Sequence, residues 1–209
     1  MRTLSFSTSK FKITERLIDQ NTEVKNTSIV LNLSDEPIRV TYDKSEIQKL
    51  GSAIVSNTSL FASNAKALLI DIENIADPTN PSKDLVKEIS KSWDKASKLF
   101  PQVEELKSLE MYRSPKEVCG NYELNLWFLK EKTRGRVHKE HSFNEIHLQV
   151  LGIGAMQKYL KQNYDSLYET VYMAPGVVHK PFFHQEGVYP WHSYDAITDC
   201  VWLAIEEHV

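Results

Sequence analysis

The sequence predicts an α+β chain in which an antiparallel β half follows a mixed, partly helical extension. Two changes of period carry that expectation. After Pro115 the apolar residues alternate, so that Tyr122, Leu124, Leu126 and Phe128 share one face, as in a strand with one buried side. Before it, Leu85, Ile89, Trp93, Ala96 and Phe100 form a single stripe on a helix, with lysines and acids elsewhere.

The elements follow in order. Ser28 to Leu33 and Ile38 to Tyr42 are short β-rich runs separated by Ser34-Asp35-Glu36-Pro37, which predicts a small hairpin. From Lys44 to Asn74, Ile47, Leu50, Ile54, Leu60, Ala65, Leu68 and Leu69 recur at helical intervals, interrupted near Gly51 and Ser56-Asn57. The turn Asp77-Pro78-Thr79-Asn80-Pro81-Ser82 leads to a helix over 85–100, capped by Ser82 or Asp84 and ended by Pro101. Val103 to Leu109 reads as a further short helix. Beyond Tyr122 to Leu129, strands are expected at 136–141, 145–151, 155–160, 170–173, 178–183 and 199–206. The expected division is an extension, 1–114, packed on a β domain, 115–209. No internal repeat is visible.

At 209 residues the chain can bury a core without disulfides, and Cys119 and Cys200 show no zinc-clip spacing. A net charge of −3 provides no field for nucleic acid or an anionic membrane. No apolar run approaches the roughly 18 residues of a membrane span, and MRTLSFSTSKFKITER lacks the apolar stretch of a secretory signal. A cytoplasmic protein is the expectation.

Histidines and one glutamate are the main chemical signal. His138, His141, His147 and His179 fall in strand-like segments of the β half. If 145–151 is a strand, Glu145, His147 and Gln149 share one face and Ile146, Leu148 and Val150 the other. Such a polar face either meets water or lines a cavity, and alternation does not decide between them.

His141-Ser142-Phe143-Asn144-Glu145, six further residues and Gly152 resemble the second half of the first cupin motif. Ala174-Pro175-Gly176-Val177-Val178-His179 resembles the second motif. The resemblance spans the last 95 or so residues. It implies a cupin-type antiparallel β-barrel, or jelly roll, in which His141, Glu145 and His179 hold a divalent metal (Fe, Mn, Zn or Ni) and pairing into a homodimer is common. Lys139 stands where the family's first ligand histidine would be, which leaves the usual set incomplete. His147 has the facing to replace that ligand or to transfer protons. Lys139 and Gln149 would line the interior and bind an oxygen-rich substrate, while His138 would point outward.

Tyr189 to Asp199 is dense in aromatic and titratable residues. His192 and Tyr194, two apart, are an acid/base pair in one reading and packing groups in the other. Cys200 reads as core. The function expected is a metal-dependent enzyme acting on a small sugar-acid-like or keto-acid-like metabolite. The alternatives are a non-enzymatic small-molecule binding module and a structural protein whose interior is filled by apolar side chains.

Overall fold

The computed structural model describes residues 1–8, 11–139, 143–179 and 189–207. Two compact units divide the chain, Met1–Ala76 and Asp77–Val209. The division therefore falls before the helix of the expected extension and not between residues 114 and 115.

The first unit is built from strands β1 (Lys12–Ile18), β2 (Thr22–Val24), β3 (Ser28–Asn32), β4 (Ile38–Val40), β5 (Glu46–Ile47), β6 (Ser52–Val55), β7 (Thr58–Phe61) and β8 (Ala65–Asp71). They form two antiparallel sheets in the orders β1-β8-β3-β6 and β2-β7-β4-β5, with Arg2–Thr3 added outside β1. The expected helical run over 44–74 is corrected to strands. Lys44, Leu50 and Asn57 adopt positive φ at strand ends, a conformation no right-handed helix contains. The three- and four-residue recurrence of Ile47, Leu50 and Ile54 is a by-product of very short strands.

In the second unit, Ser82 accepts from the Leu85 N–H and caps α1 (Lys83–Ser90), which buries Leu85, Val86 and Ile89. The helix expected to reach residue 100 stops there. Asp94 and Lys95 instead pair with Arg113 and Tyr112, and a short α2 (Ala96–Leu99) follows. A 3-10 turn at Glu104–Lys107 replaces the second expected helix.

Apart from the short strands Met111–Arg113 and Glu117–Cys119, which pair with the outer edge of the first of them, the strands that follow are β9 (Tyr122–Leu129), β10 (Thr133–Arg134), β11 (Asn144–Leu151), β12 (Gly154–Tyr159), β13 (Leu167–Met173), β14 (Trp191–Ala196) and β15 (Cys200–Glu207). One sheet runs β9-β15-β11 and continues to the 177–179 segment through an antiparallel bridge between Leu148 and Val178. The other runs β10-β14-β12-β13. The two units thus repeat one strand order: the first strand beside the eighth, then the third and the sixth, and the second beside the seventh, then the fourth and the fifth. That order is a jelly roll, in which two facing antiparallel sheets enclose the interior without closing into one continuous barrel. The repeat is one of topology, which is why no sequence period announces it.

Both faces of the β9-β15-β11 sheet are buried. Leu124, Leu126, Ile146, Leu148, Leu203 and Ile205 form the apolar outer face. The inner face meets the second sheet through Leu129, Met156, Met173, Tyr194, Ala196, Cys200 and Trp202.

Candidate functional site

Antiparallel partners point to the same side, so the register arranges the inner face in rows. Glu123, Glu206 and Glu145 form the first; Asn125, Ala204 and His147 the second; Trp127, Trp202 and Gln149 the third. Strand alternation and these pairings place Glu145, His147 and Gln149 inside, at 7%, 6% and 0% exposure. The Pro175-Gly176 turn, with Gly176 at φ 85°, carries the chain into the bridge. There the His179 N–H donates to the His147 carbonyl at 3.2 Å, and the imidazole lands beside His147.

A hydrogen-bonded line results. Glu145 Oε1 lies 3.2 Å from His147 Nε2, and His147 Nδ1 lies 2.8 Å from His179 Nε2. Gln149 Oε1 accepts from the Tyr194 hydroxyl, and its amide nitrogen donates to the Leu151 carbonyl at 2.6 Å. Tyr194 stacks on Trp202 at 4.2 Å between centroids, and burial pushes its phenol well above the usual range. A Cβ at Gly154 would lie 2.1 Å from that hydroxyl, so glycine makes room for the ring.

The opposite sheet contributes a second histidine pair. His138 and His192 form an antiparallel bridge with rings 4.4 Å apart. Their Nδ1 atoms meet the carbonyls of Arg136 at 3.0 Å and Pro190 at 3.1 Å. A carbonyl only accepts, so each Nδ1 carries the hydrogen and Nε2 is the basic nitrogen of the neutral ring. Burial lowers the His138 pKa, opposed by its hydrogen bond and by the charge of Glu145. Burial also raises the Tyr189 phenol, and Glu145 adds to that shift.

Two expectations are corrected by this register. His138, expected to point outward, shares a face with His192 and Tyr194 on the inner side. Lys139, expected to line the interior, is exposed, with its ammonium 4.7 Å above the Trp191 ring. The pairing of His138 with His192 fixes the parity of the segment. His141 lies outside the described residues, as do 180–183 of the strand expected at 178–183.

Three interior groups escaped the sequence reading. Glu206, 4% exposed, accepts from Asn125 Nδ2 at 2.8 Å and pairs with Lys116. Burial alone would lower the Lys116 ammonium, but Glu206 and Glu123 together raise it. Because the carboxylate can only accept, the Asn125 amide nitrogen must face it and Oδ1 points away. Asn125 Oδ1 and Trp202 Nε1 are buried without a hydrogen-bond partner among the described residues. A polar residue within the apolar run 122–129 was the one available signal for Asn125.

Two imidazoles and a carboxylate are donor types that suit a divalent transition metal. Their contacts, however, run in a line: Glu145 and His179 engage opposite nitrogens of His147, and one ion cannot touch both faces of that ring. Among the described residues no three His, Cys, Asp or Glu side chains form a metal-holding group.

No family model matches the sequence, and no curated protein matches it. Solved structures similar to this chain include several described as cupins. A cupin 2 conserved barrel domain protein from Leptotrichia buccalis is 11% identical, with 96% of this chain and 85% of that one covered and a TM-score of 0.37. A mutant salicylate 1,2-dioxygenase from Pseudoaminobacter salicylatoxidans is 9% identical over 95% of this chain and 70% of its own, with a TM-score of 0.40. Ectoine synthase from P. lautus is 14% identical with a TM-score of 0.36; the match covers 47% of this chain and 64% of that enzyme, less than two thirds of its length. The jelly-roll strand order stands without these likenesses. No described helix is long and apolar enough to cross a membrane.

Proposed function

We propose that the second jelly roll is a metal-assisted small-molecule site, with Glu145 and His179 as ligands completed by His141, and His147 as the neighbour that orients both. One contrast carries the reading. Two units share a strand order, yet all seven histidines belong to the second, where His147 contacts Glu145, His179 contacts His147, and His138 pairs with His192 on the facing sheet. The bound ion would supply Lewis acidity. The chain's own residues would do the rest: Trp202 Nε1 donates to a substrate oxygen, Asn125 Oδ1 accepts from a substrate hydroxyl or amide, and His192 and Tyr194 stand on the facing sheet as proton-transfer groups. A small hydroxylated or carbonyl-bearing metabolite meets those demands.

The test is metal analysis of the purified full chain beside Glu145→Gln and His179→Ala. A stoichiometric divalent ion that falls in both variants supports the reading, and an unchanged content overturns the ligand assignment.

A second reading, metal-free binding without turnover, is favoured by the linear contacts of Glu145, His147 and His179. It predicts metal-free protein that still binds small polar ligands. We propose as well that the chain forms a homodimer, tested by sedimentation.

A further inference from the structure

The first unit repeats the fold without the histidines, and its interior has a different chemistry. Ile18, Val30, Ile38, Val40, Val55, Leu60 and their neighbours fill the space between its sheets. At one end the filling stops. Lys12, Thr14 and Arg16 share the inner-facing parity of β1 beside Leu69 and Asp71 of β8 and, with residues 23–26 at the end of β2, line an open cavity of about 390 Å³. That volume lies within the range of small-molecule sites.

Its charges are not matched internally. Lys12 stands opposite Asp71 in the register, yet neither the Lys12 nor the Lys25 ammonium has an ion pair or hydrogen bond among the described residues. Asp71 instead accepts from Asn26 Nδ2 at 2.7 Å and from the Glu73 N–H at 3.0 Å. Arg16 donates to the Glu23 carbonyl at 3.2 Å and keeps further N–H groups for a ligand. Lys12, Arg16 and Lys25 therefore outnumber the carboxylates of Glu23 and Asp71, over a buried floor of Thr14, Val24 and Leu69.

We propose that this cavity binds a small organic anion carrying two or more carboxylate or phosphate groups. Lys12 and Arg16 are four residues apart on one strand, about 13 Å between Cα atoms. A single anionic group engages one end of the cavity, whereas a multivalent anion engages both.

The test is calorimetric titration of the full chain at low ionic strength, where exposed charges are least screened. Citrate and inorganic phosphate are the probes and glycerol is the neutral control. Saturable binding of citrate is expected, tighter than that of the single-group inorganic phosphate, with no glycerol signal; phosphate binding as tightly as citrate would overturn the requirement for two groups. Lys12→Gln combined with Lys25→Gln should weaken binding by at least about tenfold, since each removes a charge-assisted contact. His179→Ala should leave it unchanged. Absence of saturable binding by either anion, indifference to the lysine substitutions, or loss in His179→Ala would each overturn the proposal, the last by placing the anion in the second unit. A failed metal assignment in the second unit leaves this test untouched.

Discussion

His179 Nε2 receives two donors from one residue: the His147 backbone N–H at 3.1 Å and, at 2.8 Å, His147 Nδ1. A nitrogen that accepts a backbone N–H carries no hydrogen, so in this arrangement His179 is the Nδ1–H tautomer and His147 Nδ1 is protonated; an ion held by His179 would take the Nε2 lone pair and displace both contacts. The remaining contact, His147 Nε2 to Glu145 Oε1 at 3.2 Å, would oppose a lone pair to a carboxylate unless one proton is shared between them. Nitrogen-15 shifts of the imidazoles should show an unprotonated His179 Nε2 and a protonated His147 Nδ1; the reverse pattern would refute this proton count.

Glu145 and His179 are coupled through His147. Either Glu145→Gln or His179→Ala should cost about 1–3 kcal/mol, because each leaves a buried polar group without its partner. Combined, they should depart from additivity by about 0.5–3 kcal/mol in urea unfolding. Additive losses would mean that the three side chains do not act as a unit.

Trp202→Phe keeps a ring against Tyr194 and deletes an N–H that has no partner among the described residues. Without ligand its unfolding midpoint should be unchanged or higher, whereas Trp202→Ala should lose about 3–5 kcal/mol. A large loss in the phenylalanine variant would reveal a partner for Nε1.

Gly154→Ala forces a methyl against the Tyr194 hydroxyl and ring, 2.1 and 2.4 Å from an ideal Cβ. About 1–3 kcal/mol of stability should be lost. Near-ultraviolet dichroism from the Tyr194 and Trp202 stack should change with it, and an unaltered spectrum would contradict the packing described.

Burial pushes the Cys200 thiol up to about 11, and Sγ donates to the Ile153 carbonyl at 3.1 Å. Native protein should resist thiol reagents at Cys200 near pH 8. A folded pKa above the unfolded value of 9.0 gives a contribution present below pH 9 that is lost as pH rises through about 11. Cys200→Ala should flatten that alkaline decline.

Much of the second unit was legible because its strands are long enough for alternation to speak. Asn144–Leu151 and Cys200–Glu207 each span eight residues, and their parity puts Glu145, His147 and Gln149 on one face. In the first unit the strands expected at 28–33 and 38–42 are present, but the run 44–74 was not legible: Glu46–Ile47 has two residues and Ser52–Val55 and Thr58–Phe61 four each, too few for any period, so chance spacing imitated a helix. Trp191–Ala196 was not among the expected strands; its place in the middle of a sheet depends on partners far along the chain. For the same reason, which of His138 and Lys139 faces inward could not be read locally. Cross-strand pairing with His192 decides it.

In the row Asn125, Ala204 and His147, the central residue contributes only a methyl group. Position 204 thereby sets the ceiling on the bulk of any guest seated between those two polar neighbours: widening Ala204 to leucine would exclude large guests before small ones, without touching a single hydrogen-bonding atom.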